Sequence, residues 1–230
     1  MKRFLLIAAL GSCISILLTS CSTRSISDSG YRENYGYYGR SSDSVNYQGE
    51  LSEWDVLGTG STNVAVAKYE PVSLIKGERV LVIQSGAFFP DDQMIRDLEI
   101  YCNVAMFSGV PPKEKDPVLA ERLRSAALNG GCSKLLVYWG VLESGRRDQA
   151  TKSVSWVPVV GMFVPDSSQT MRIRVKAFVV DAASGRWSMF IADSFEDERL
   201  SAPLVRESSD QGQVARLKAL AYRNLVKKLF

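Results

Sequence analysis

Ser73 and Lys76 stand three residues apart in Ser73-Leu74-Ile75-Lys76, the spacing at which a lysine amine can activate a serine hydroxyl. Ser85 follows an apolar run and precedes a helix start, the setting of a nucleophile elbow. Each lacks what its chemistry needs. No Ser-Asp-Asn or Lys-Thr-Gly element accompanies the first pair, and residue 83 is Ile where the elbow requires Gly. The chain has 230 residues and 0 histidines. Ser-His-Asp and Cys-His nucleophile pairs are therefore excluded, as are His-ligated zinc, haem and copper. Acid or base work near neutral pH would fall to a perturbed Asp, Glu, Lys, Tyr or Cys. The acidic residues are scattered, and their densest run, Glu196-Asp197-Glu198, reads as a solvated loop. No metal ligand set and no cofactor motif can be assembled; Gly58-Thr59-Gly60-Ser61-Thr62 lacks the lysine of a phosphate loop.

Two groups of polar residues remain as binding candidates. Ser85, Ser108 and Glu143 each follow an expected strand, and Asp91 begins the helix after the first. Ligands bind beyond the carboxyl ends of parallel strands, so these four mark a candidate ligand crevice. The second group is basic: Arg172, Arg174 and Lys176 share one strand face, with Arg186 across an expected hairpin. They form a candidate patch for anionic lipid, peptidoglycan or an acidic partner, against the plainer reading of a solvated outer face. Trp156 and Phe163, near Pro158 and Pro165, read as a possible protein-binding loop.

The elements that must position these residues follow from periodicity. Glu50–Leu57 predicts a short helical turn packing Trp54 on the domain. Arg79–Gln84 (RVLVIQ) is apolar on both faces, as in a strand covered on both sides. Asp91 reads as the cap of a helix carrying Met94, Ile95, Leu98 and Tyr101. Asn103–Phe107 is a second strand and Val118–Asn129 a second helix, stopped by Gly130-Gly131. Lys134–Leu142 is the strongest buried strand. Val154–Val164 is apolar but broken by Pro158 and Gly161, an edge strand or a covering loop. Met171–Val179 alternates, Asp181–Gly185 turns, and Arg186–Phe195 returns. A final helix covers 210–229, with Asp210 and Gln213 in capping-box register. The expected fold is α/β with a mixed sheet: a parallel βαβαβ start, a C-terminal antiparallel hairpin and a terminal helix.

The amino terminus reads as an address. Lys2 and Arg3 precede an apolar run, Phe4–Leu18, that is short and broken for a membrane span. Leu18-Thr19-Ser20-Cys21 resembles a bacterial lipobox. That resemblance implies removal of residues 1–20 and acylation of Cys21 by two or three chains, enough for stable anchoring. Ser22, in place of the Asp that retains lipoproteins in an inner membrane, implies the outer membrane, facing the periplasm, in a Gram-negative host. In a host without an outer membrane, the outer face of the plasma membrane takes that place. Loss of Lys2 and Arg3 reduces the formal charge from +3 to near +1, which gives no electrostatic reason to expect nucleic-acid binding. Residues 21–48 are rich in Ser, Gly, Tyr and Arg and read as a flexible tether; 49–230 read as one α/β periplasmic domain. If the first strand lies between the second and third, Cys102 and Cys132 precede strands about 10 Å apart, beyond disulfide reach unless the loops bend inward; the expectation is two free buried thiols, with a disulfide as the alternative.

Gly130-Gly131-Cys132, Leu135 to Gly140 and the turn Val179-Val180-Asp181…Ser184-Gly185 resemble an envelope α/β fold. It is shared by curli-secretion lipoproteins, lipoprotein activators of penicillin-binding proteins and the amino-terminal domain of the Tol-system propeller protein. The resemblance covers roughly residues 76–230 and implies envelope assembly, secretion or partner binding. Phe107-Ser108-Gly109-Val110-Pro111-Pro112, the segment Tyr138 to Gly145 and Ser155-Trp156-Val157-Pro158 are more closely similar to uncharacterised bacterial lipoproteins sometimes labelled aminopeptidase. The function expected is a non-enzymatic binding or assembly module, joined to the membrane by its lipid and to a protein partner in the envelope. The alternative is a histidine-independent peptidase.

Overall fold

Strand Arg79–Gln84 is apolar at consecutive positions because it is covered on both faces, and the rest of the sheet is built outward from it. The computed structural model describes residues 20–28, 49–58, 71–114, 116–148, 167–201 and 206–230. Their elements are β1 (Ser20–Ser25), a 3-10 turn (Ile26–Asp28), α1 (Glu53–Leu57), β2 (Arg79–Gln84), α2 (Asp92–Glu99) and β3 (Asn103–Phe107). There follow α3 (Leu119–Asn129), β4 (Lys134–Asp148), β5 (Ser167–Asp181), β6 (Trp187–Ile191), β7 (Phe195–Ser201) and α4 (Arg206–Leu229).

The sheet has seven strands in the order β3-β2-β4-β5-β6. β2 lies parallel to both β3 and β4; β4, β5 and β6 are antiparallel. This is the expected mixed α/β sheet. Two strands were not expected. β1 pairs with the second half of β4, continuing the line of β2, and β7 pairs with the first half of β5, continuing the line of β6. The long β4–β5 ladder thus receives two short strands along each edge.

Alternation along β4 and β5 divides two cores. Leu136, Tyr138 and Leu142 with Ile173, Val175 and Ala177 face α2 and α4 through Met94, Leu98, Leu217 and Leu225. Leu135, Val137 and Trp139 with Phe178 face Val56 of α1 and Leu123 and Ala127 of α3. Cys102 and Cys132 are free and buried, just ahead of β3 and β4, which β2 separates. Burial, reinforced by Glu78 and Glu99, pushes the Cys102 thiol up to about 11. Burial also raises the Cys132 thiol, against the opposing pull of Arg79.

Several expectations are corrected. The tether was expected from Cys21; instead residues 20–28 belong to the fold, and Ile26 is 1% exposed within the α4-side core. A single aliphatic residue suffices because backbone pairing to β4 supplies the rest. Trp54 is 68% exposed, so α1 packs through Val56. Glu196-Asp197-Glu198 is strand, opposite Arg172, Met171 and Thr170 of β5. α4 begins at Arg206, so Asp210 and Gln213 do not cap it; the Gln213 amide is buried and donates to the Asp197 carbonyl at 2.6 Å. Residues 1–19 and 29–48, most of Gly58–Thr62, and Val154–Val164 with Trp156 and Phe163 lie outside the described residues.

Candidate functional site

The carboxyl end of β2 meets the start of α2 because Gly86 turns the chain at φ +77°. Its neighbour Gly109 has no room for a side chain, since a Cβ there would fall 1.8 Å from the Gln84 carbonyl oxygen. Gln84 and Tyr138 are register partners on β2 and β4, and both point to the α4 side. The Tyr138 hydroxyl donates to Gln84 Oε1 at 2.6 Å, and the Asp91 amide donates to the same oxygen at 2.7 Å. Burial drives the Tyr138 hydroxyl well above the ordinary phenol range, and the Asp91 charge adds to the shift. Tyr138 is therefore a neutral donor here.

The Asp91 carboxylate does not cap its helix. Its Oδ2 accepts from Lys218 Nζ at 2.8 Å and from the Tyr222 hydroxyl at 2.5 Å, both on α4. Lys218 also donates to the Ile26 carbonyl at 2.8 Å, and Gln84 Nε2 donates to Ser27 Oγ at 3.1 Å. Ser27 in turn donates to the Ser85 carbonyl at 2.6 Å. The expected crevice is therefore filled by the protein itself. Residues Ile26 and Ser27 close it from the α4 side, and Leu51 closes it from the other, accepting from Ser85 Oγ at 3.4 Å and Trp139 Nε1 at 2.7 Å.

Of the four crevice residues, Ser85 and Asp91 join this network. Ser108 does not: its hydroxyl accepts from the Val110 amide at 3.3 Å, ordinary turn chemistry. Glu143 lies elsewhere, five residues past Tyr138 on β4 and on the opposite face of the sheet. The residues that sequence reasoning missed are Lys218, Tyr222 and Ser27; Gln84 was placed at the strand end without a role. Only the polar Lys218 and Gln213 inside a helical apolar stripe gave a signal.

The basic row is also corrected. Glu143 pairs with both Arg172 and Arg174, and Lys176 pairs with Glu53 of α1. Hydrogen bonding from Arg172 holds the Glu143 carboxyl below the usual range, with Arg174 adding to it. Arg186 sits beside the 181–185 turn, where its carbonyl accepts from the Asp181 amide at 2.8 Å. Val180 is the level beside it, four residues from Lys176 and about 13 Å along the strand. The four cations therefore do not form one patch. Lys76, nominated with Ser73, holds its ammonium 5.6 Å from the centre of the Tyr101 ring. No cluster of three metal-ligating residues occurs among the described residues.

At the β6 edge the described residues leave an apolar row exposed. Trp187, Met189 and Ile191 are alternate residues of edge strand β6 and are 45%, 48% and 54% exposed. They share the face of Phe178, whose ring meets Trp187 edge-on at 5.2 Å. α1 and α3 cover this face over β2 and β4 and leave these three residues exposed.

The model of the YafT bacterial lipoprotein family matches residues 51–230. The chain belongs to the YafT bacterial lipoprotein family. Membership goes with a bacterial lipoprotein of the cell envelope, and among the described residues no helix is long and apolar enough to cross a membrane. No curated protein matches the chain. Among solved structures, the PelC dodecamer from Paraburkholderia phytofirmans is 10% identical, covering 67% of this chain and 94% of that one at a TM-score of 0.25. The hypothetical protein CT253 from Chlamydia trachomatis is 11% identical, covering 67% of this chain and 93% of that one at 0.26. Likenesses this slight carry no argument about function or assembly. The family match supports the expected likeness to uncharacterised lipoproteins; it does not extend to curli-secretion proteins, penicillin-binding-protein activators or aminopeptidases.

Proposed function

We propose that this lipoprotein is anchored through an acylated Cys21 to the outer membrane, faces the periplasm, and works as a non-enzymatic binding module for a protein partner in the envelope. The observation that carries the reading is the β6 edge. Three large apolar side chains on alternate positions of an edge strand are a liability that soluble proteins normally blunt with charge or cover. Their retention fits a partner that lays an extended apolar segment along β6, joining backbone pairing to side-chain burial. The filled crevice agrees with it. Ser85, Asp91 and Lys218 are the described groups best suited to chemistry, and all three are engaged in holding the chain's own segments. No arrangement among the described residues favours the peptidase alternative.

The test is photo-crosslinking in whole cells. A photoreactive residue at Met189 is expected to capture one discrete envelope protein, while the same residue at exposed Ala183 is expected to give none. A smear common to both positions would defeat the proposal. Peptide turnover by the purified protein that disappears in Ser85→Ala would replace it with the hydrolase.

A further inference from the structure

The chain that follows Cys21 has no slack. The Ser22 hydroxyl meets that of Ser144 at 2.7 Å, and Ser25 donates to Glu50. Ile26 is buried and held by Lys218, and Ser27 is bonded to the Ser85 carbonyl. Every residue from 22 to 25 has a register partner on β4. A flexible coil over residues 22–48 would instead give a root-mean-square reach of about 30 Å.

The register fixes which end of the domain carries the anchor. Cys21 lies opposite Gly145, whereas β2 ends opposite Tyr138 and the 181–185 turn begins opposite Lys134. From Gly145 back to Lys134 is eleven residue levels, so Cys21 and that turn stand at opposite poles, about 36 Å apart along the strands.

Resting on the proposed acylation of Cys21, we infer that the lipid holds the domain directly against the bilayer, with the β1 pole seated on phospholipid headgroups and the 181–185 turn facing away. The described side chains at that pole are polar or charged. Thr23 and Arg24 are exposed, Ser22 and Ser144 bond to each other through their hydroxyls, and Arg172 and Arg174 stand among the carboxylates of Glu143, Glu196 and Glu198. The β6 edge then stands out of the membrane plane, open to a partner in the aqueous space.

The test uses the full lipidated protein in phosphatidylethanolamine/phosphatidylglycerol vesicles that carry a headgroup-linked fluorescence quencher. Glu198→Cys, at the level of Cys21 across the sheet but remote from it in sequence, and Ala183→Cys are each labelled under native conditions, where Cys102 and Cys132 are buried. The label at 198 is expected to lose most of its fluorescence and the label at 183 almost none. Equal quenching at both positions, or none at either, in protein that co-floats with vesicles overturns the apposition and leaves the anchor intact. Failure to co-float, or flotation that survives Cys21→Ala, overturns the anchor and the apposition with it. Ile26→Asp should free the strand and bring the two labels to similar quenching without loss of flotation. Where that variant fails to fold, the two labels in otherwise unaltered protein decide the matter.

Discussion

Replacing Lys218 with Met isolates the contact on which the closed crevice depends. The ammonium is almost fully buried, and its bonds include two of 2.8 Å, one to the Asp91 carboxylate and one to the Ile26 carbonyl. Met fills a similar volume, so the loss is mainly electrostatic. Removing one partner of a buried ion pair costs about 3–5 kcal/mol, because the remaining charge stays desolvated. Tyr222 keeps one bond to Asp91, which places the estimate towards the lower end of about 3 kcal/mol. At about 2–4 °C per kcal/mol for a domain of this size, the melting temperature should fall by about 10 °C. The assay is thermal unfolding by circular dichroism of a chain beginning at Ser22, together with tryptic cleavage at Arg24. Arg24 is held in β1 and should become cleavable at a temperature where the parent chain resists. Adding Asp91→Asn should recover part of the loss by removing the stranded charge. A fall of less than 2 °C with unchanged protection of Arg24 would refute the assignment of Lys218 as the clasp of the amino-terminal segment.

Three further outcomes are expected. Gly140→Ala would place a Cβ 2.9 Å from Ile26 and 3.1 Å from the Arg174 carbonyl, so unfolding measurements should register a loss of about 1–3 kcal/mol. Asp181 is held below the usual carboxylate range: partial burial opposes this, but hydrogen bonds from Lys134 and Ser184 outweigh it. A depressed folded pKa gives stability that is full above the unfolded value and lost as pH falls below it. Melting temperature should therefore drop on acidification below about pH 4, and Asp181→Asn should flatten that drop. Cys102 and Cys132 should resist a disulfide reagent in the native chain at pH 8 and both react in denaturant; rapid native reaction of either would contradict their burial.

Most elements from Arg79 to Leu142 were legible because continuous apolar runs mark β2 and the start of β4, and apolar stripes closed by Gly or preceded by acid mark the two helices. The order β3-β2-β4, which the pattern left as one arrangement to consider, is the one the structure has. β1 was not legible, since Ser-Cys-Ser-Thr-Arg-Ser has no apolar alternation, and its stability comes from pairing with residues some 120 positions away. The same holds for β7, whose acidic run is tied to β5 and, through Asp197, to Arg216 on α4. Asp91 was found but misassigned: its position is that of a helix cap, and the cation that claims it lies 127 residues on. The basic row was read correctly as sharing a strand face. Its neutralisation by Glu143 and Glu53 depends on register and helix placement that alternation does not encode.

Whether the chain directly after the anchor residue is a strand of the sheet is tested most directly by hydrogen exchange on the lipidated protein. The account predicts that amides bonded to β4 within residues 22–25, and those of the turn that follows, exchange as slowly as their partners at 141–144. Complete exchange of the 22–28 segment at the earliest time point, with β4 still protected, would contradict it and restore a free tether.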